Sequence, residues 1–478
     1  MNIEFYKKIC NKIELPLIIL WECLLIIRTV SLYSLLPSKL DTILFSIISV
    51  LGIVILIKNS IEWIDKKRKY DIFLMVFIIS ALISSVYFGS GIIIGNIKII
   101  FWQVLLVFVI YENGKFDKYF LVVEKILMYA WFTLILISLI LFFAKVSITI
   151  PLSKLYYGIR FGFVENRLFG VFVDPNYSST ISVVVILISM SFIRKTSSYI
   201  QRIFLVVNII LQVFYIALSG SRTALVEIAI CLFVGVFFLT IQKNKKLVTI
   251  FQGLVLSVIS ILTVVFIINV TQNASLRIVN AYSTPMAVQK YVTDVNSRRP
   301  NKSDKIVVEN EKHINLDRKD VKNNSDISNN RFNLWKSAIE IFIETPIFGT
   351  SPRGLIPFAQ KHLPNTLIGK NGQSPHNFFF YSLAAVGLLG TIPLLLFLIY
   401  NIIRTIINLW NLKVSYNYDY MVIILITLTL LVSGSLLPDL IFFNKLGSFL
   451  FWIYLGKVVG QNKKIEFDKR SGSEIRGI

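Results

Sequence analysis

Apolar runs long enough to cross a bilayer recur along almost the whole sequence, and no other feature restricts the fold as strongly. One membrane-spanning helix needs about 20 predominantly apolar residues. Runs of this kind fall at about 15–36, 42–57, 71–89, 92–111, 120–144, 170–193, 203–219, 223–241, 247–270, 377–402, 420–438 and 446–460. The first is interrupted by Glu22 and Arg28, and the last is short. The chain is 55% hydrophobic and only 16% charged, against about 25% charged in soluble domains. That balance excludes a soluble nucleic-acid-binding domain, a secreted disulfide scaffold and a disordered chain. It predicts an all-α polytopic integral membrane protein of about twelve transmembrane helices, nine within 1–270 and three within 377–460.

The formal net charge is +22. With the N-terminus inside, 25 of the 49 Lys and Arg residues fall in the inner connecting segments. This bias predicts an N-in, C-in topology with a basic cytoplasmic tail at 461–478. Lys7, Lys8 and Lys12 precede the first run, and no small-residue cleavage site follows it, so that run reads as an uncleaved span. Cys10, Cys23 and Cys231 have neither a CxxC spacing nor a neighbouring histidine, which argues against disulfide or metal roles.

One segment departs from the pattern. Residues 271–376 form a long hydrophilic loop, extracytoplasmic by span parity, with 15 Lys and Arg against 9 Asp and Glu. Its centre, 296–330, is polar and poor in aromatics and reads as mobile and coreless, with His313 inert inside it. Order is expected to return at Asn329 or Asn330, capping a helix over 331–345 that stops before Pro346. Phe332, Trp335, Ile339 and Phe342 share one face of that helix, while Arg331, Lys336, Glu340 and Glu344 fall elsewhere. Such a helix suits either the membrane surface or docking onto the span bundle.

Three groups of polar residues stand at the expected outer ends of spans. Arg160 and Arg167 precede Asp174-Pro175-Asn176, which should break or kink the start of a span. Arg222 lies in Ser219-Gly-Ser221-Arg222 at the turn of a helical hairpin, flanked on both sides by apolar sequence. Arg331, Pro346-Ile-Phe-Gly349 and Arg353 lead to Ser-Pro-His376-Asn377 at the membrane. A single arginine beside a span snorkels to the interface. Several around one surface match an anionic phosphate, because guanidinium pairs bidentately with it. His376 is the candidate for proton transfer, since a neutral imidazole accepts a proton at working pH; a lone histidine is otherwise structural. No P-loop, Asp-x-Asp motif or large cytoplasmic domain is present to hold a nucleotide.

The motifs resemble those of the O-antigen ligase and O-antigen polymerase superfamily. His376-Asn377, nine residues and then Gly387-Leu-Leu-Gly390 matches the family pattern H-[NSQ]-x9-G-x-x-[GTY]. Ser219-Gly-Ser-Arg222-Thr-Ala resembles the family's Ser-Arg signature. Arg331…Trp335…Pro346…Gly349 resembles the stretch before the histidine, and Arg167-Leu-Phe-Gly170…Pro175-Asn176 the upstream element. The insert at 296–330 departs from the pattern. The resemblance implies a GT-C-like helical glycosyltransferase without cofactor or metal, whose donor is an oligosaccharide on undecaprenyl diphosphate. Carried over, Arg222 binds the diphosphate, Arg160 or Arg167 and Arg331 or Arg353 assist, and His376 is the general base. Asn377, Asn176, Asp174 and Ser221 support them. A flippase and a chain-length regulator are the partners that the family implies, besides the lipid bilayer; nucleic acid is not.

Within the family, a polymerase extends a lipid-linked polysaccharide and a ligase moves the glycan to lipid A core or another acceptor. The motifs do not separate them, and polymerisation of a capsular or O-antigen-like polysaccharide is the preferred expectation. A non-catalytic flippase would place charges through the depth of the bundle, whereas here the singled-out charges sit mainly at outer ends, although Arg28 and Lys98 interrupt spans without an assigned role.

Overall fold

A computed structural model describes residues 3–89, 91–116, 119–152, 155–242, 244–282, 307–308, 314–316, 330–411, 418–437 and 440–470. In chain order the helices begin with α1 (Ile3–Ile27), α2 (Ser38–Ile64), α3 (Ile72–Phe88), α4 (Ile93–Gly114) and α5 (Phe120–Phe143). Three strands follow, β1 (Ser147–Leu152), β2 (Leu155–Val164) and β3 (Arg167–Gly170). Next come α6 (Pro175–Lys195), α7 (Tyr199–Ser219), α8 (Arg222–Ile241), α9 (Leu247–Asn280) and the short strand β4 (Val307–Val308). The chain closes with α10 (Arg331–Glu344), α11 (Leu355–His362), α12 (Leu367–Asn371), α13 (Phe378–Asn411), α14 (Tyr418–Gly434) and α15 (Leu446–Arg470).

Among the described residues, α2, α4 to α9 and α13 are the eight helices long and apolar enough to cross a membrane, and α3 and α14 are shorter apolar helices. The protein is an essentially all-helical, multi-pass membrane protein. Two expected spans come out differently. The run at 15–36 stops at Ile27 and continues as a 3-10 turn over Ser31–Leu35, and α15 continues past the apolar run into charged sequence. Helix α9 also extends ten residues beyond the expected span end at 270.

Two compact units divide the chain: Met1–Glu22, Ile43–Val123 and Asp326–Ile478 in one, Cys23–Thr42 and Glu124–Ser325 in the other. The core of the first unit is aromatic. Trp21 packs on Trp102 and Phe449, and Tyr111 meets Phe397 and Trp452 edge-on. Several basic residues expected only to set topology are here held in buried or half-buried ion pairs. Lys58 meets Glu14 at 2.5 Å, Arg68 bridges Glu62 and Glu112, and Lys115 meets Glu112. Burial pulls the Lys115 ammonium below its ordinary pKa, against the pull of Glu112.

The second unit holds a feature that the hydropathy pattern hides, a four-stranded antiparallel sheet in the order β3-β2-β1-β4. Residues 147–170 are rich in β-branched and aromatic side chains. Glu165 and Asn166, both at positive φ, make the two-residue turn between β2 and β3. Ile148 and Thr149 of β1 pair with Val308 and Val307 of the long loop. Further on, Asn280 exchanges two hydrogen bonds with the backbone of Ile314. The loop centre thus contributes two anchored points to this unit. Apart from 307–308, 314–316 and Asn330, the residues of 296–330, His313 among them, lie outside the described residues.

The helix over 331–344 exists, with a different buried face. Leu334, Ser337, Ala338 and Ile341 are buried, whereas Phe332 and Ile339 of the expected face are exposed. Small side chains at 337 and 338 let the chain approach closely, and Ser337 Oγ accepts from Leu367 N at 3.0 Å. Asn330 does precede the helix, but in a left-handed conformation and without a side-chain capping bond.

Candidate functional site

The second unit gathers Arg167, Asp174, Asn176, Ser221 and Arg222 around three helix ends. Asp174 caps α6 by accepting from Asn176 N at 2.8 Å, and Pro175 takes the first helical position. There its missing N–H costs nothing and its fixed φ suits the helix. The expected break at Pro175 is therefore a clean helix start. Arg167 is 9% exposed and ties this start to the end of α7: its Nε donates to Ser219 O at 2.8 Å and its Nη2 to Asn176 Oδ1 at 2.7 Å. Arg160 is engaged by Glu165 at 2.9 Å and lies over the Phe169 ring at 4.3 Å.

Helix α7 stops at Gly220, which has φ +60, and Ser221 caps α8 by accepting from Ala224 N at 3.3 Å. Arg222 is the first residue of α8 and half-buried. The unsatisfied N–H groups and positive dipole end of a helix favour an anion. A guanidinium at the same place adds a full charge and a bidentate fork.

Behind this corner lies polar chemistry that hydropathy conceals. Tyr215 Oη meets Ser178 Oγ at 2.6 Å, and Ser179 Oγ meets Ser219 Oγ at 2.8 Å. Thr180 Oγ1 donates to Glu227 Oε1 at 2.8 Å, and Glu227 is fully buried. An ionisable residue inside a span is a functional candidate by its energetic cost. Glu227, five residues beyond Arg222, breaks the apolar run of α8 and was legible there.

The first unit holds His376, Asn377, Arg331 and Arg353. His376 has φ +52, a left-handed conformation uncommon for a residue with a Cβ. Asn377 follows and caps α13, accepting from Phe379 N at 2.8 Å and Phe380 N at 3.2 Å. Its Nδ2 donates to Ser435 O at 2.9 Å, so the capping residue is also tied to the end of α14. The His-Asn pair therefore divides its work: Asn377 fixes the helix start, and the turned backbone at His376 directs the imidazole, which is half-exposed.

Nine residues into α13 the helix breaks at Gly387, with φ +59 and ψ −162. The segment 346–351 enters the break. Thr350 N and Ser351 N donate to Ala384 O and Ala385 O, while Leu388 N and Leu389 N donate to Pro346 O and Ile347 O. A Cβ on Gly387 would come within 2.4 Å of Ile347 O, and one on Gly349 within 2.4 Å of Ala385 C. The two glycine-bearing motifs are thus halves of one joint. Ser84 Oγ donates to Ala385 O and accepts from Ser351 N, and Asn96 Nδ2 donates to Ser351 Oγ at 3.0 Å.

Arg353 leaves this joint. Its backbone N–H donates to Asn96 Oδ1 at 2.8 Å, and its side chain lies over Gly95, where a Cβ would come within 2.8 Å of Arg353 Cδ. The side chain is exposed, and among the described residues its guanidinium has no hydrogen-bond or ion-pair partner. Tyr381 Oη donates to Pro352 O at 2.5 Å and fixes this stretch beside the first turns of α13. Arg331 begins α10, whose Trp335 stacks on Phe380 at 5.2 Å. Asn96, Ser84, Ser351 and Tyr381 are supports that sequence reasoning missed, because their partners lie from 29 to about 300 residues away. Among the described residues, no group of three or more His, Cys, Asp or Glu is placed to hold a metal ion.

Residues 207–395 match the family model described as O-antigen ligase. The match contains Arg222, Arg331, Arg353, His376 and Gly387, and leaves Arg160, Arg167, Asp174 and Asn176 outside it. A search of curated proteins finds no match to the chain.

Proposed function

From a chain whose residues 207–395 match the family model described as O-antigen ligase, we propose a polymerase that joins undecaprenyl-diphosphate-linked oligosaccharide units into a surface polysaccharide. The observation that carries this reading is the family match over Arg222 and His376, together with their placement: an arginine at a helix N-terminus and a histidine held on a left-handed turn. The reaction is assigned to the extracytoplasmic face of the cell membrane.

In this reading His376 removes the proton from the acceptor hydroxyl. The hydroxyl oxygen attacks the anomeric carbon from the face opposite the leaving group. The bond from that carbon to the diphosphate oxygen breaks, its electron pair leaves with the diphosphate, and the configuration inverts. Arg222 meets the charge that develops there, and Arg353, with its guanidinium unengaged among the described residues, assists. Arg331 is a further cation on the side of the histidine. Arg167 acts as a positioning residue through Ser219 and Asn176, and Arg160 is already engaged by Glu165.

The second reading, a ligase that delivers the glycan to lipid A core or another acceptor, is favoured by the description of the matched family. One reconstitution separates them. Purified protein in detergent receives undecaprenyl-diphosphate oligosaccharide alone or with a second acceptor. A ladder of products from donor alone supports the polymerase. Product only with the second acceptor makes it a ligase, and no transfer under either condition, with intact donor recovered, overturns both.

A further inference from the structure

We propose that the groove between α10 and the α11–α12 turn is a saccharide-binding site that holds the polysaccharide chain away from the reacting bond. It encloses about 530 Å³, within the roughly 300–1,000 Å³ typical of ligand sites. Its walls are Asn333, Lys336 and Glu340 on α10, and His362, Asn365 and Lys370 facing them.

Three observations lead to a sugar. The first is an unspent set of polar groups. The side chains of Lys336, Glu340, Asn365 and Lys370 make no hydrogen bond or ion pair with any described residue, although Lys336 and Glu340 are one helical turn apart and of opposite charge. Sugar hydroxyls both donate and accept, so they need ammonium and amide donors beside carboxylate and amide acceptors, which is the set present here. The second is an apolar strip formed by Leu363, Pro364 and Leu367, suited to the C–H face of a pyranose ring. Beside it, the His362 ring is held flat by stacking on Phe358, 4.6 Å between centroids.

The third is rigidity where the groove is built. Leu367 N donates to Ser337 Oγ and joins α12 to α10, and Thr366 caps α12 by accepting from Gly369 N at 3.1 Å. The walls are thus fixed while the ligand-facing ends are free. Other ligand classes fit less well. No arginine lines the groove, as a diphosphate would favour, and no tyrosine or tryptophan offers the anchor that a protein partner uses.

The identity of the saccharide as the polymer product rests on the proposed function; the groove itself does not involve His376 or Arg222. The test uses the full chain in detergent and the surface polysaccharide of the source cells, freed of lipid, size-fractionated and fluorescently labelled. Binding is read by anisotropy, and hydrogen exchange is followed over 363–371. Wild type and His376→Ala are expected to bind equally. Lys336→Ala/Asn365→Ala/Lys370→Ala is expected to bind at least tenfold more weakly, with an unchanged unfolding temperature. The exposed single variant Asn365→Ala is expected to lose several-fold, and the polysaccharide is expected to slow exchange over 363–371 in wild type. Binding by the triple variant equal to wild type, or no binding and no protection in wild type, overturns the groove. Binding without any glycosyl transfer by wild type would instead overturn the proposed function and leave the groove standing.

Discussion

Two arginines that look alike in sequence carry different work. Arg222 begins a helix, whereas Arg167 ties two helix ends together through its bonds to Ser219 O and Asn176 Oδ1. Arg222→Ala is expected to lower kcat by about 10²–10³, the usual loss when one donor to a developing oxyanion is removed. Arg167→Ala is expected to destabilise the solubilised protein by about 1.5–3 kcal/mol, the range for hydrogen bonds to a charged group, read by thermal unfolding in detergent. If Arg222→Ala unfolds early while Arg167→Ala keeps its stability, the two assignments are reversed. The motif residues themselves were legible: His376, Asn377, Arg222 and Gly387 stand at fixed spacings. Their supports were not, because Asn96 and Ser351 meet across 255 positions of chain, and no local pattern announces such a contact.

At the scale of elements, the decisive object is the joint where 346–351 enters α13. Gly387 occupies a backbone region that is essentially restricted to glycine, and strain there costs on the order of 1–3 kcal/mol even before the contact with Ile347 O is counted. Gly387→Ala is therefore expected to reduce the yield of folded protein and to lower its unfolding temperature, whereas an alanine at the exposed Leu388 should not. Recovery of normal, stable Gly387→Ala protein would show that the joint tolerates a Cβ. Most helices were legible as apolar runs, since a span is a long and redundant signal. The sheet was not, because 147–170 is short, lies between two spans and completes its edge with two residues from a loop about 160 positions away. The face of α10 was misread for a related reason. Two apolar stripes run along it, and only the neighbours decide which is buried: α12 chose the side with Ser337 and Ala338.

For the whole molecule, the distribution of Lys and Arg predicts an N-in, C-in topology with 271–376 outside. In a variant without Cys10, Cys23 and Cys231, a membrane-impermeant maleimide is expected to label Asn365→Cys in intact cells and Asn244→Cys only after permeabilisation. The reverse pattern would invert the topology. The charge bias has a structural counterpart, since Lys58 is buried, and Arg68 and Lys115 half-buried, in ion pairs that tie α1 to α2 and the chain after α2 and α4 to Glu112 within their unit. Removing one partner of such a pair strands the other and is strongly destabilising. These residues cannot be exchanged freely to redraw the topology.

The break in α13 also makes the interval between His376 and Gly387 a ruler. Each residue of an α-helix turns the chain by about 100° and advances it by about 1.5 Å. Both ends of this interval are held, one by the tie from Asn377 to Ser435 and the other by the backbone bonds of 346–351. One inserted residue would have to swing the imidazole more than a quarter turn around the helix or pull the joint apart. The nine positions between Asn377 and Gly387 are thus fixed in number, while an insertion in the turn at 363–366 leaves that interval untouched.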